Sequence, residues 1–179
     1  MQKTISIKTE SESNLFYQIY KSPVGKIYIV SSENFLAGIH FENEINSIDL
    51  KNCRVKTTAE TDKALEFLSE YFSSGKKSNL NKIAAGINFN FSLYTSNEIK
   101  IYKKLLKIDF GKIISYKELG IKCGFPRGAR FIGNCMAKNR FPVIIPCHRI
   151  IKSDGSIGNY SGGAGIKEEL LKHEGVIVL

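Results

Sequence analysis

The 179-residue chain has no run approaching the roughly 18 consecutive apolar residues of a membrane span, which excludes a membrane-crossing reading. Its opening, MQKTISIKTE, lacks an apolar h-region, so no secretory signal is expected and residence in the cytoplasm is the default expectation. None of the four cysteines (Cys53, Cys123, Cys135, Cys147) forms a C-x-x-C pair, and a chain of this length has no need of disulfide staples. Soft metal ligands are scarce: the first half offers only His40 and Cys53, whereas tetrahedral zinc wants four, so no metal site is expected. Internal repeats and low-complexity tracts are missing as well.

Acidic residues are the scarcest feature where they would matter most. Between Lys100 and Lys152 there are thirteen Lys/Arg and two acids, Asp109 and Glu118, a local net charge of +11. The whole chain nets +9, so everything else nets −2. A positive charge confined to one segment points to a polyanion, because neutralising phosphates supplies most of the non-specific affinity for nucleic acid. Lysine-rich helices also serve simply to solvate a face, and charge by itself does not separate the two.

What is present divides into two parts, 1–92 and 93–179. Residues 15–41 read as a small antiparallel meander. Lys26-Ile27-Tyr28-Ile29-Val30 and Leu36-Ala37-Gly38-Ile39-His40-Phe41 are rich in strand formers, and Ser22-Pro23-Val24-Gly25 has turn chemistry. A helix over 60–73 carries Leu65, Leu68 and Phe72, and 76–94 reads as a polar connector with a short apolar strand. In the second part, Thr95-Ser96-Asn97-Glu98 and Ser115-Tyr116-Lys117-Glu118 both fit capping boxes. The first opens a helix with Ile99, Tyr102, Leu105 and Leu106 on one face. The second opens a short helix to about Lys122, broken by Gly124-Phe125-Pro126 and followed by a helix over 127–138. Two short basic helices about a Gly/Pro turn form a helix-turn-helix pattern. The glycine-rich stretch 152–163 reads as a wing or as backbone that approaches a ligand closely, and 167–173 as a last helix.

The chemistry concentrates in Ile144-Ile145-Pro146-Cys147-His148-Arg149-Ile150. A free thiol, with a pKa of about 8.5, is only a few per cent thiolate at neutral pH, and the thiolate is the nucleophile. Histidine and arginine directly after Cys147 supply a base and a positive charge, so a lowered thiol pKa is expected. Chain adjacency leaves open whether His148 faces Cys147, since neighbours on a strand point apart. A reactive cysteine about eight residues beyond a helix-turn-helix suits attack on a modified base.

These residues resemble the O6-alkylguanine-DNA alkyltransferases. The similarity rests on Pro146-Cys147-His148-Arg149, on Gly158-Asn159-Tyr160-Ser161-Gly162-Gly163, and on Lys167, Leu170, Leu171 and His173-Glu174-Gly175. Phe110-Gly111, Ser115-Tyr116, Ala129-Arg130 and Asn139 add to it upstream. It is dense from about Thr95 to Gly175 and thin before that.

The resemblance implies an α/β (α+β) protein. A small amino-terminal antiparallel sheet with a helix would precede a helical, winged-helix-like domain that binds DNA. It implies Cys147 as the nucleophile that takes an alkyl group from guanine O6 (and O4-alkylthymine as a further candidate), in one stoichiometric turnover after base flipping. His148 would be the base, oriented by Glu174, and Tyr116 would donate toward the purine. Arg130 would fill the stack, with Tyr116, Lys117, Ala129, Phe131, Asn139 and Ser153 at the DNA. Met136, Pro142, Ile150, Tyr160 and Ser161 would line the pocket. No cofactor is implied; the partner is double-stranded DNA containing O6-alkylguanine, met by a monomer. The alternative is a non-catalytic alkyltransferase-like lesion-binding protein, and that type replaces the cysteine. A thiol hydrolase unrelated to DNA is a third reading, which gives the basic helices no role. The chain departs from the family pattern at Phe131, usually small, at Arg140, usually proline, and at Tyr102, usually tryptophan.

Overall fold

A computed structural model describes residues 14–47, 50, 53–73, 77, 79–158, 160 and 162–177. The chain forms two compact units, 1–90 and 91–179. Among the described residues no helix is long and apolar enough to cross a membrane.

The first unit is built on a four-stranded sheet. Strands β1 (Leu15–Ser22), β2 (Gly25–Ser31) and β3 (Leu36–Phe41) form the expected antiparallel meander. The β1–β2 turn pairs Ser22 with Gly25, whose φ of +101° lies where a side chain is strained. A fourth strand, β4 (Cys53–Val55), runs parallel to β1 and completes the order β3-β2-β1-β4. Three residues carry too little alternation to announce themselves, and β4 is specified by its partner rather than by its own sequence.

Helix α1 (Ala59–Phe72) packs on β1 and β2. Its buried residues Thr61, Ala64, Leu68 and Tyr71 follow the i, i+3, i+7, i+10 stripe of one helical face. Thr58 caps its start reciprocally with Thr61, and the Thr58 hydroxyl also meets the Ser31 hydroxyl at 2.8 Å, pinning the helix entry to β2. Across the sheet, Leu15, Val30 and Ala37 form a smaller cluster with Tyr17, Phe35, Leu50 and Cys53. The connector contains a helix that the sequence does not advertise, α2 (Leu80–Ala85). Only Leu80 and Ala84 of it are buried, one turn apart, so its pattern is too short to register. The short strand expected there reduces to a single bridge between Phe89 and Leu36.

The second unit starts with α3 (Ser96–Leu105), opened by the Thr95/Glu98 capping box. Its buried face is Glu98, Ile101, Tyr102 and Leu105, rotated from the expected stripe, and Ile99 and Leu106 are only partly covered. The rotation arises because Glu98, although charged, turns inward to close its own cap. There it accepts from the Thr95 backbone at 2.8 Å and from Lys138 Nζ at 2.8 Å. Helices α4 (Tyr116–Lys122) and α5 (Ala129–Ala137) pack together across the turn 123–128. Gly120 makes that turn possible, since a Cβ there would stand 2.8 Å from the Phe125 carbonyl oxygen. Strands β5 (Ile114–Ser115) and β6 (Ile150–Ile151) pair in parallel, and α6 (Ala164–His173) packs on the turn that precedes β6.

Two tyrosine hydroxyls anchor the far end of α5. Tyr102 donates to the Cys135 carbonyl at 2.8 Å and Tyr94 to the Lys138 carbonyl at 3.0 Å. Carbonyls at the end of a helix keep accepting capacity that the helix itself does not fill, and these bonds use it.

Candidate active site

Cys147, His148 and Arg149 form a 3-10 turn rather than a strand. Successive side chains on such a turn diverge by about a third of a revolution, so Cys147 reaches the cleft while His148 and Arg149 turn to Glu174. The loop before it is tightly fixed. Asn139 sits just beyond α5, and its Nδ2 donates to the Ile145 carbonyl at 2.8 Å and to Cys147 Sγ at 3.0 Å. Its Oδ1 accepts from the Phe141 backbone at 3.0 Å. One amide side chain therefore sets the path of 141–147 and holds the sulfur. In the same loop, fully buried Val143 has a φ of 69°, a left-handed conformation costly for a β-branched residue. Such strain, of order 1–3 kcal/mol, persists where surrounding contacts over-determine the backbone.

Cys147 is only 2% exposed, yet it forms part of the wall of an open cleft of about 730 Å³. Volumes of 300–1,000 Å³ are typical of small-ligand sites. Tyr116, Met136, Tyr160, Arg130, Lys152 and Ser153 are among the other wall residues. Burial pushes the thiol pKa up, against the Asn139 hydrogen bond, the Lys167 charge and the Tyr160 side chain, which favour the thiolate. The expected lowering of this pKa is therefore reversed: the resting group is a thiol. Desolvation of the sulfur outweighs the polar groups aimed at it.

Behind the cysteine lies a buried charge cluster. His148 Nε2 stands 2.7 Å from Glu174 Oε1, and both side chains are fully enclosed. Burial lowers the His148 pKa, with Glu174 opposing, so the ring is neutral near pH 7. A carboxylate only accepts, which puts the ring proton on Nε2 and leaves Nδ1 as the basic nitrogen. Burial would raise the Glu174 carboxyl, but His148 and Arg149 outweigh it and hold its pKa at about 2. Arg149 Nε donates to both Glu174 oxygens at 3.0 Å, and its Nη1 donates to the Ile108 carbonyl at 2.5 Å. Gly111 N–H reaches Glu174 Oε2 at 2.8 Å. Gly111 has a φ of +74°, and a Cβ there would stand 3.0 Å from the Glu174 carbonyl oxygen, so a side chain would disturb this bond.

The residues singled out in the sequence fall into three groups. Cys147, Tyr116, Lys117, Ala129, Arg130, Met136, Ser153 and Tyr160 come together around the cleft. His148, Glu174 and Asn139 lie behind it in the interior. Phe131, Pro142 and Ile150 are not in its wall: Phe131 turns edge-on to Phe125 at 5.2 Å, Pro142 is buried in the loop, and Ile150 is spent on pairing with Ile114. Ser161 and Asn159 lie outside the described residues.

Arg149, expected to place a positive charge beside the thiol, and Lys167, for which the sequence suggests no role, both belong to the cluster. Arg149 clamps Glu174, and Lys167, fully buried, donates from Nζ to the carbonyls of Ile150 (2.6 Å) and Ile157. Burial lowers the Lys167 pKa to about 8, with Cys147 opposing. The signal for Lys167 was in the sequence: it shares a helical stripe with Leu170, Leu171 and Glu174, where a lysine has to be buried. Among the described residues no group of three or more His, Cys, Asp or Glu is arranged to hold a metal ion.

A mixed α/β fold with a cysteine in the wall of a cleft beside two short basic helices sets the class of protein, and comparison with known proteins narrows it. The sequence signature described as "6-O-methylguanine DNA methyltransferase, DNA binding domain" matches residues 96–176, and the one described as the "ribonuclease-like domain" of the same protein matches 15–83. The methylated-DNA–protein-cysteine methyltransferase of Cricetulus griseus is 33% identical over 171 residues, covering 89% of this chain and 82% of that protein. The protein of the same name from Methanosarcina barkeri is 33% identical over 161 residues, covering 89% and 97%. The fold is shared with the Mycobacterium tuberculosis OGT solved in complex with DNA, at 22% identity and a TM-score of 0.71, covering 89% of this chain and 92% of that one. The chain belongs to the 6-O-methylguanine DNA methyltransferase family.

Proposed function

We propose that the protein repairs O6-alkylguanine in double-stranded DNA by taking the alkyl group onto Cys147, once per chain. One observation carries this reading. A thiol on the wall of an open cleft is hydrogen-bonded by Asn139 and followed in the chain by a neutral imidazole held by a carboxylate. The relatives' name, methylated-DNA–protein-cysteine methyltransferase, agrees with it.

The damaged base leaves the stack and enters the cleft, at a cost of a few kcal/mol of lost stacking and pairing. Arg130, at the start of α5, fills the gap with its planar guanidinium. The Cys147 proton passes through a water to His148 Nδ1, and the imidazolium formed is stabilised by Glu174, as in other oriented-base systems. The thiolate attacks the alkyl carbon; a C–S bond forms while the bond to O6 breaks. The electron pair goes to the guanine, and Tyr116 donates a hydrogen bond toward the ring as it departs. The raised thiol pKa fits this order of events, because deprotonation is deferred until substrate and base are in place. The product is a thioether, which has no water-labile carbonyl and no good leaving group, so the chain is consumed. All the groups required are the chain's own.

The test is stoichiometry. With lesion-bearing duplex in excess, transfer should stop at one methyl per chain, and Cys147→Ser should transfer none. Continued turnover by the wild-type chain would overturn the reading.

A further inference from the structure

Three exposed cations converge on the turn between α4 and α5, away from the cleft wall. Lys100 and Lys104 lie one turn apart on α3, and Arg127 lies in the turn itself. Lys100 Nζ stands 5.8 Å from the centre of the Phe125 ring, and a Cβ on Gly124 would meet it at 3.6 Å. Burial raises the pKa of the Cys123 thiol, while the charges of Lys100 and Lys104 both act to lower it, which sets Lys104 beside the same turn. Ala129 and Arg130, the first residues of α5, follow directly.

Nothing nearby neutralises this group. Among the described residues, no carboxylate lies within ion-pair distance of Lys100, Lys104 or Arg127. Glu98 is committed to Lys138, and Glu118 to its own cap and to Lys122. Like charges at i, i+4 disfavour a helix. The helix dipole accounts for a cation in the last turn, such as Lys104, but not for Lys100 in the middle.

We propose that Lys100 and Lys104 of α3, with Arg127, bind the phosphate backbone of the duplex outside the lesion cleft. They would hold DNA without regard to damage. The proposal rests on the DNA-binding reading above and extends the contact surface to a helix outside the helix-turn-helix pair. Lys117 and Lys152 stand in the cleft wall, and Lys100, Lys104 and Arg127 gather outside it at the turn that leads into α5. A duplex seated on α5 then meets cations at both places, which fixes register and orientation while base chemistry is left to the cleft.

The test compares two double variants of the full chain by fluorescence anisotropy on a labelled undamaged duplex over a salt series. Each phosphate contact contributes about 0.9 to the slope of log affinity against log salt. Lys100→Gln with Lys104→Gln should therefore lower the slope by about 1.8. Lys21→Gln with Lys82→Gln, exposed lysines of the first unit, removes the same net charge and should leave the slope unchanged. A duplex carrying O6-methylguanine should lose affinity by the same factor as the undamaged one in the α3 variant. An unchanged slope, an equal loss in both variants, or no binding by the wild-type chain would overturn the proposal. Because the readout is binding to undamaged DNA, failure of Cys147 to take a methyl group would sink the repair reading and leave this comparison legible.

Discussion

The two units bury polar groups for different ends. In the first, the buried polar side chains Ser31, Thr58 and Thr61 close a helix cap against a strand, and every ion pair keeps at least one partner in solvent: Lys26 and Glu42 are each 48% exposed, and buried Glu60 pairs with a Lys63 that is 39% exposed. In the second, His148, Arg149, Lys167 and Glu174 are enclosed together, and the His148–Glu174 pair is fully hidden. Exposed pairs contribute little, and buried ones are costly to assemble and costly to break.

That contrast can be broken by substitution. Glu174→Gln leaves Arg149 facing a neutral amide and replaces one of the two oxygens shared by His148, Arg149 and Gly111 with a donor. Unfolding by urea should show a loss of about 3 kcal/mol or more, and single-turnover methyl transfer should slow by about 100-fold or more. A variant with wild-type stability would contradict the idea of an enclosed charge cluster. Asn139→Ala comes next. It strips the Ile145 carbonyl and the Cys147 sulfur of their donor, for a loss of about 1–3 kcal/mol, with a slower transfer read in the same assay. Tyr102→Phe deletes one hydroxyl that supports α5, and about 1 kcal/mol should be lost with little effect on transfer. At the foot of the series, Lys26→Ala in the first unit should leave the denaturation midpoint unchanged.

Acid sharpens the same comparison. His148 has a lowered pKa in the folded state, so below about 6.5 the unfolded chain takes up a proton that the folded one refuses. Glu174, held at about 2 against an ordinary 4.5, adds a loss as pH falls from about 4.5 toward 2. Both groups make stability rise with pH, and both losses should belong to the second unit. Urea titrations from pH 7 downward should show the fall beginning near pH 6.5, and Glu174→Gln should flatten its lower part.

Several of these features could be read in the sequence because a local rule specifies them. Thr95/Glu98 and Ser115/Glu118 announce their helices by spacing alone, and the turn at Gly124-Phe125-Pro126 separates α4 from α5 unaided. The cysteine and its neighbours stood out because a thiol, a base and a cation in succession have few structural uses. What escaped depends on contacts distant in the chain. Strand β4 exists through β1, and the inward rotation of α3 depends on Lys138, forty residues away. The direction of the Cys147 pKa shift was misjudged because burial is set by the whole fold, and chain neighbours say nothing of desolvation. Arg149 lay in plain view, but its partner, Glu174, is twenty-five residues further on.

The central claim is that one sulfur accepts the alkyl group and keeps it. Incubation with a duplex carrying a single O6-methylguanine, followed by proteolysis and peptide mass mapping, tests it directly. The account predicts one methyl group, on the peptide containing Cys147, persisting after the DNA is removed. A methyl group on Cys123 or Cys135 instead, or a free Cys147 thiol after the lesion has been repaired, would contradict it.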